Sequence, residues 1–392
     1  MDKPQPKKPN ILLRLALGLL TLAVLLAGVA VVVFRDRLNL DDFKRWYTYR
    51  SLTLNDSGQA ESFHYSGLDS DVFVDLDGDL LVCGKNSIGL YSGSGVQYID
   101  QPVSFSSPAA HSAGAAAVVY DAGGSDLYVY HDREQVFSLH SDDMLLSARL
   151  NASGLLTVVT QQAGYRGVVT VYDAGFHPTA ALSLSSVYIM DATVSNDGGT
   201  LCVASVFQMD GDFTSSLLFY NLAQLTADGV SRDAVPFASC PLSGSLVLEL
   251  GSSAGRWWAL GDRGLWVLDA QGATLGSLDW SDRFLKACSL SGDGFAAALL
   301  GRYRTGSQST LSIVDSDGAL TGSLNLDEQV LSVSAAGRYF AVLTADRLDI
   351  YTRDLSLYSS LSGTQGAQKV LLHRDGSAIL ISSGTARLYV PG

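Results

Sequence analysis

The chain has 392 residues, 47% of them hydrophobic, so it can bury a large core, and its 39 glycines beside only three lysines after residue 50 (Lys85, Lys286 and Lys369) make a strand-and-turn composition. The net charge is −13, and the part beyond residue 34 carries 22 basic against 38 acidic residues. A phosphate backbone needs a basic face, so nucleic acid is excluded as a partner.

The first element is an uncharged run of 20 residues from Leu15 to Phe34. At 1.5 Å per residue it matches the ~30 Å hydrocarbon core, and it is longer than the apolar stretch of a cleaved signal peptide. The expectation is a cytoplasmic tail (1–10), a transmembrane signal-anchor helix (11–34) and a juxtamembrane linker (35–60). Lys3, Lys7, Lys8 and Arg14 on one side face Arg35, Arg37, Lys44, Arg45 and Arg50 on the other, so positive charge alone does not orient the span. The short Lys/Pro tail on one side and the long acidic remainder on the other favour an N-terminus inside and a domain outside the cytoplasm. In the linker, Leu40, Phe43 and Tyr47 recur at helical spacing after Asn39, an N-cap residue type. With Trp46 and Tyr49 beside Lys44 and Arg45, this is either a short helix at headgroup level or a solvated linker.

From residue 61 the sequence repeats. A polar turn ending in glycine and followed by an apolar strand recurs at Gly78, Gly114, Gly154, Gly198, Gly255, Gly294, Gly337 and Gly376. An alternating strand precedes most of these turns, as in Leu146, Ala148, Leu150 or Leu246, Leu248, Leu250. A third strand ends at Tyr91, Tyr130, Tyr172, Tyr220, Leu268, Val314, Tyr351 and Tyr389, several times with Asp or Asn next (Asp173, Asn221, Asp269, Asp315) to start another turn. Four strands in about 40 residues make a propeller blade. Eight such units, or seven if the one around His111–Gly114 is not a blade, predict an all-β eight-bladed β-propeller over 61–392. The chain stops after the third strand of the last unit, so Glu61–Tyr65 is expected to supply the missing outer strand and close the ring.

The anchor, the Phe43–Tyr47 stretch and the Gly/Tyr-Asp repeat together resemble an uncharacterised family of single-span, membrane-anchored bacterial propeller proteins, within the broad WD40-like and quinoprotein-like class. The Gly-His and Trp-Asp pairs of WD40 blades are absent, and the five tryptophans (Trp46, Trp257, Trp258, Trp266, Trp280) are too few for the tryptophan-docked blades of quinone dehydrogenases.

Blade geometry assigns loops to faces. The first-to-second and third-to-fourth strand turns share one face, and the second-to-third loops lie on the other. Length varies most in the latter, at Gln161–Gly167, Phe207–Thr214 and Gly301–Ser309, and an insertion at Leu222–Ser239 enlarges unit four. Variable loops on a rigid scaffold commonly carry binding. Tyr165 and Arg166, Asp210 and Asp212, and Arg302, Tyr303 and Arg304 are the candidate ligand-binding residues, Tyr and Arg being frequent interface anchors. The bland alternative is that they are ordinary solvated loop residues.

Asp75, Asp77 and Asp79, the Asp210/Asp212 pair, and Asp315 with Asp317 lack calcium-loop spacing and read as hairpin turns. The six histidines have no metal-binding spacing, and Cys83, Cys202, Cys240 and Cys288 read as small core residues. No cofactor, metal or catalytic residue is expected. The expected function is a non-catalytic binding or scaffolding module for a protein or an envelope glycan at the outer face of the cell membrane. The alternative is a hydrolase or lyase with its site in the central channel.

Overall fold

The computed structural model describes residues 18, 19, 21, 22, 25, 40–67, 71–209, 211–226, 232–242 and 244–392. Most of the Leu15–Phe34 run therefore lies outside the described residues, and among those described no helix is long and apolar enough to cross a membrane. The chain divides into two compact units, Met1–Ser51 and Leu52–Gly392. In the first, Leu40–Tyr49 forms the helix that the Leu40/Phe43/Tyr47 spacing predicts. Asp41 and Asp42 sit in its first turn, where carboxylates complement the helix dipole, and Asp42 pairs with Arg45. Phe43, Trp46 and Tyr47 are exposed, and the Arg50 guanidinium lies 4.2 Å from the Tyr47 ring centroid.

The second unit is an eight-bladed propeller of 32 strands in eight four-stranded antiparallel sheets. Seven sheets are built from consecutive strands. The eighth takes its outer strand from the other end of the chain, with Phe63 opposite Ala386 and His64 opposite Thr385. Closure extends further back than Glu61: Gln59 bridges to Tyr389, and the Ala60 amide donates to the Leu388 carbonyl at 2.9 Å. Phe63 then stacks on Tyr91 and Tyr65 meets Phe73 edge-to-face in blade one, sealing the seam between the last and first blades. The unit around His111–Gly114 is a full blade, Pro108–His140.

The core is distributed between blades rather than within one layer. Each apolar cluster straddles two neighbours, as where Val169, Leu182 and Val171 of blade three meet Ile189, Ala192 and Leu201 of blade four. Cys83 and Cys202 belong to such clusters, and burial pushes the Cys83 thiol up to about 12. Cys240 and Cys288 are only half-buried.

Two sequence landmarks now have physical causes. All eight repeat glycines have positive φ, between 57° and 93°, a region where a side chain is strained, and this is what turns the first strand into the second. The recurrent tyrosine ties its strand to the previous blade: the Tyr130 hydroxyl donates to Gln101 Oε1 at 2.6 Å, and the Tyr389 hydroxyl sits 2.7 Å from Ser359 Oγ. The aspartates that follow accept from the backbone, Asp315 from Asp317 and Ala319, and Asp269 from Gln271 and Ala273. Asp75 likewise accepts from the Gly78 amide, and Asp79 is engaged by Arg133.

Innermost strands have no neighbour on their channel edge. Side chains of the preceding blade satisfy several of their amides: Ser289 accepts from Ala335, Ser332 from Val370, and Ser334 from Leu372.

Candidate docking face

The ring has a turn face and a loop face. On the turn face lie the first-to-second and third-to-fourth strand turns. Both ends of the propeller are there too, because Gly58 packs on Val390, which follows the last third strand: a Cβ on Gly58 would fall 2.3 Å from the Val390 carbonyl oxygen. The loop face carries the second-to-third loops and the blade-to-blade connections.

A feature that periodicity did not predict organises the loop face around the channel mouth. In blades three to eight the innermost strand is bulged near its start, leaving one extra residue opposite its neighbour: Leu146, Met190, Leu248, Lys286, Leu331 and Gln368. A bulge re-aims the side chain it inserts. Innermost strands are covered on both faces by adjacent blades, so a side chain exposed on one is exposed towards the channel. Met190, Leu248 and Leu331 are 40–57% exposed, and Met144, Tyr188 and Phe284, first residues of their strands, join them. The outcome is an apolar ring contributed by blades three to seven.

The predicted loop residues stand outside this ring in two groups. Tyr165 and Arg166 lie in the loop of blade three. The Arg166 guanidinium sits 4.6 Å from the Tyr188 ring centroid, and Arg232 lies 6.0 Å from that of Tyr165. Arg302, Tyr303 and Arg304 lie in the loop of blade six, all exposed, with Arg302 5.7 Å from the Tyr303 ring and Arg304 5.6 Å from that of Phe284. The two groups are three blades apart on the ring, so they do not form one pocket. Asp210 lies outside the described residues. Asp212 is exposed and begins a strand.

Two loop assignments change. Phe207–Thr214 is not a loop, because the strands Thr200–Met209 and Asp212–Asn221 pair to their ends, making a long hairpin with exposed Phe213 near its tip. Alternation in Phe207–Met209 continues the strand, and that was the available signal. The Leu222–Ser239 insertion joins the third and fourth strands of blade four, so it starts on the turn face. Its described part runs along the outer strand of blade three, with the Ala181 amide bonding to Thr226 and Ser183 bridging to Arg232. It covers a sheet edge that would otherwise be open.

Beside Arg304 a cleft of about 660 Å³ opens between blades five, six and seven. Its apolar walls are Leu248, Phe284, Leu285 and Val330, and its charged groups are Arg283, Lys286, Arg304 and Asp262. Lys286, carried up by its bulge, donates to the Gly306 carbonyl at 2.7 Å and to Ser309 Oγ at 2.9 Å, which fixes the Arg302–Gln308 loop. Asp262 accepts from Ser245 Oγ and the Leu246 amide.

Deeper in the channel, Arg149 of blade three meets Asp191 of blade four at 2.8 Å and Glu249 of blade five at 3.5 Å. Asp191 also accepts from Ser147 Oγ and from the Ala192 and Leu250 amides. Burial lowers the Arg149 pKa, but the two carboxylates outweigh it and hold the guanidinium charged. Burial, with Arg149 nearby, lowers His111 to about 3, and its Nδ1 has no hydrogen-bond partner among the described residues. With Asp191 saturated by donors, the cluster ties three blades together and offers no free base. Among the described residues, no three His, Cys, Asp or Glu side chains gather as a metal site.

These features define a closed β-propeller with a built face around its channel mouth. Solved structures carry the same fold. The C-terminal WD40 domain of Sif2 is similar over 86% of this chain and 97% of its own, at 12% identity and TM-score 0.56. The Dos1 propeller is similar over 84% and 93%, at 8% identity and TM-score 0.56. BamB from Moraxella catarrhalis gives a looser likeness, 84% and 96% at 13% identity and TM-score 0.47. No curated protein matches the chain. Residues 48–357 match a family of unknown function (DUF5711), and the chain belongs to it.

Proposed function

We propose that the protein is a membrane-tethered propeller, held outside the cytoplasm by its N-terminal apolar run, that docks a protein partner on its loop face without catalysis. The observation that carries this reading is the repeated bulge, which turns apolar side chains of blades four, five and seven to the channel mouth, with arginines around them. An apolar centre rimmed by Arg and Tyr is the usual anatomy of an interface. A folding requirement would have buried these side chains.

The anchor rests on the uncharged Leu15–Phe34 run, with the exposed Phe43, Trp46 and Tyr47 suited to headgroup level. Because the chain enters the propeller on the turn face, the loop face is the one presented away from that entry. The hydrolase or lyase alternative is disfavoured by the internal pairing of Arg149, Asp191 and Glu249.

The test is photo-crosslinking in intact cells. A benzophenone side chain at Leu248 or Ser307 should capture a discrete protein, and one at Asp354 or Gln271, on the turn face, should not. Capture from the turn face alone, or from neither, would contradict the reading. Protease added to spheroplasts should digest the propeller, and protection until the membrane is breached would contradict its placement outside.

A further inference from the structure

The cleft between blades five, six and seven holds an electrostatic imbalance. Arg283 and Arg304 line it, both are exposed, and neither has an ion-pair or side-chain hydrogen-bond partner among the described residues. Among the described residues Lys286 is engaged only by a carbonyl and a hydroxyl, so no carboxylate there offsets its charge. Several other arginines of the propeller are paired, as Arg133 with Asp79, Arg149 with Asp191, Arg347 with Asp349 and Arg374 with Asp293. In a protein of net charge −13, three cations against one hydrogen-bonded carboxylate is a local excess.

We infer that this cleft takes an acidic–apolar segment of a partner polypeptide. Arg283 and Arg304 hold a carboxylate, and a neighbouring apolar side chain of the partner lies on Leu248, Phe284 and Val330. The inference rests on the docking-face reading and names the chemistry of the partner.

Each property of the cleft narrows the ligand class. Guanidinium forks match a carboxylate bidentately. The apolar walls add nothing for a bare inorganic anion and favour one attached to hydrocarbon. A polyanion such as nucleic acid would meet the repulsion of the acidic domain. A neutral glycan would stack on an open aromatic face, but the Arg304 guanidinium lies 5.6 Å from the Phe284 centroid. The volume, about 660 Å³, suits a few side chains of an extended segment. The apolar ring continues from Leu248 and Phe284 to Met190 and Leu331, so a segment seated in the cleft can extend across the mouth.

The experiment uses the full chain in detergent micelles and three fluorescein-labelled peptides, Gly-Leu-Glu-Leu-Glu-Leu-Gly and its counterparts with Gln or Lys in place of both Glu residues, read by anisotropy. The Glu peptide should bind roughly tenfold more tightly than the Gln peptide, and the Lys peptide should be weakest. In the double variant Arg283→Glu/Arg304→Glu the order should invert, with the Lys peptide first. Arg283→Gln/Arg304→Gln should abolish the preference, and both variants should melt like the parent. Sodium phosphate should compete no better than sodium chloride of equal ionic strength. Equal affinity for the Glu and Gln peptides, no binding of any peptide, or an unchanged order in the charge-reversed variant would overturn the inference. Specific displacement by phosphate would overturn it in favour of a phosphorylated ligand. If crosslinking from Leu248 captures a protein while no peptide binds, the docking reading stands and the acidic-segment inference falls. If crosslinking fails, the docking reading itself falls.

Discussion

The two faces of the propeller use the same residue types for different ends. On the turn face, Asp269 and Asp315 each accept two backbone amides, and Arg374 grips Asp293 through two hydrogen bonds. On the loop face, Arg283 and Arg304 have no such partners among the described residues, and Met190, Leu248 and Leu331 are exposed at bulges. Polar groups that close turns are committed to the fold. Side chains left unpaired on a rigid frame are free for a partner, so one can argue from unsatisfied chemistry to function without a catalytic motif.

Breaking the seam should have the largest effect on this division. Deleting Gly58–Tyr65 removes the outer strand of the last blade and uncovers Tyr91 and Phe73, so cooperative melting should be lost and aggregation appear by light scattering, whereas deleting Lys3–Pro9 should change neither.

Next comes the channel tie. Arg149→Ala leaves Asp191 buried without its counter-charge and should cost about 3–5 kcal/mol in urea unfolding. Arg149→Met should cost no less, since it too leaves the carboxylate unpaired.

His111 sharpens the comparison through pH. Its folded pKa is lowered to about 3 by burial, from an ordinary value of 6.5, so the unfolded chain binds its proton first as pH falls. Stability should therefore decline between pH 6.5 and 3 with a limiting contribution on the order of 1.4 kcal/mol per pH unit, and His111→Phe should flatten that limb.

Smaller still is a single repeat turn. Gly294→Ala places a side chain at φ of 73° and should cost about 1–2 kcal/mol, measured as a lowered urea midpoint with unchanged slope. The smallest stability effect belongs to the loop face: replacing Arg302–Gln308 by two glycines should move stability by less than about 0.5 kcal/mol.

The ring was legible in the sequence because its punctuation is physical. Glycine at positive φ recurs once per blade, and tyrosine ending the third strand and aspartate capping the next turn recur in most of them, so counting the glycines counts blades. The missing last strand followed from the same count. The bulges were not legible, since one extra residue in a strand leaves the alternation broken in a way that single sequences do not separate from a slip of register. Phe207–Thr214 was misassigned for a related reason, as length variation between repeats does not say whether the extra residues extend a hairpin or a loop. Tyr165 with Arg166 and Arg302 with Arg304 were recognised by residue type, yet only the ring shows that they stand three blades apart. Arg283, Leu248 and Lys286 were missed as site residues because each sits inside or beside a strand, where residue type gives no sign of exposure.

The most direct test is a triple substitution at the bulges, Met190→Ser/Leu248→Ser/Leu331→Ser, assayed for melting temperature and for crosslink yield from Ser307 in intact cells. These side chains are exposed, so melting should stay within about 2 °C of the parent while the crosslinked product disappears. A large fall in melting temperature, or a crosslink that survives intact, would contradict the claim that the channel mouth is built for docking rather than for folding.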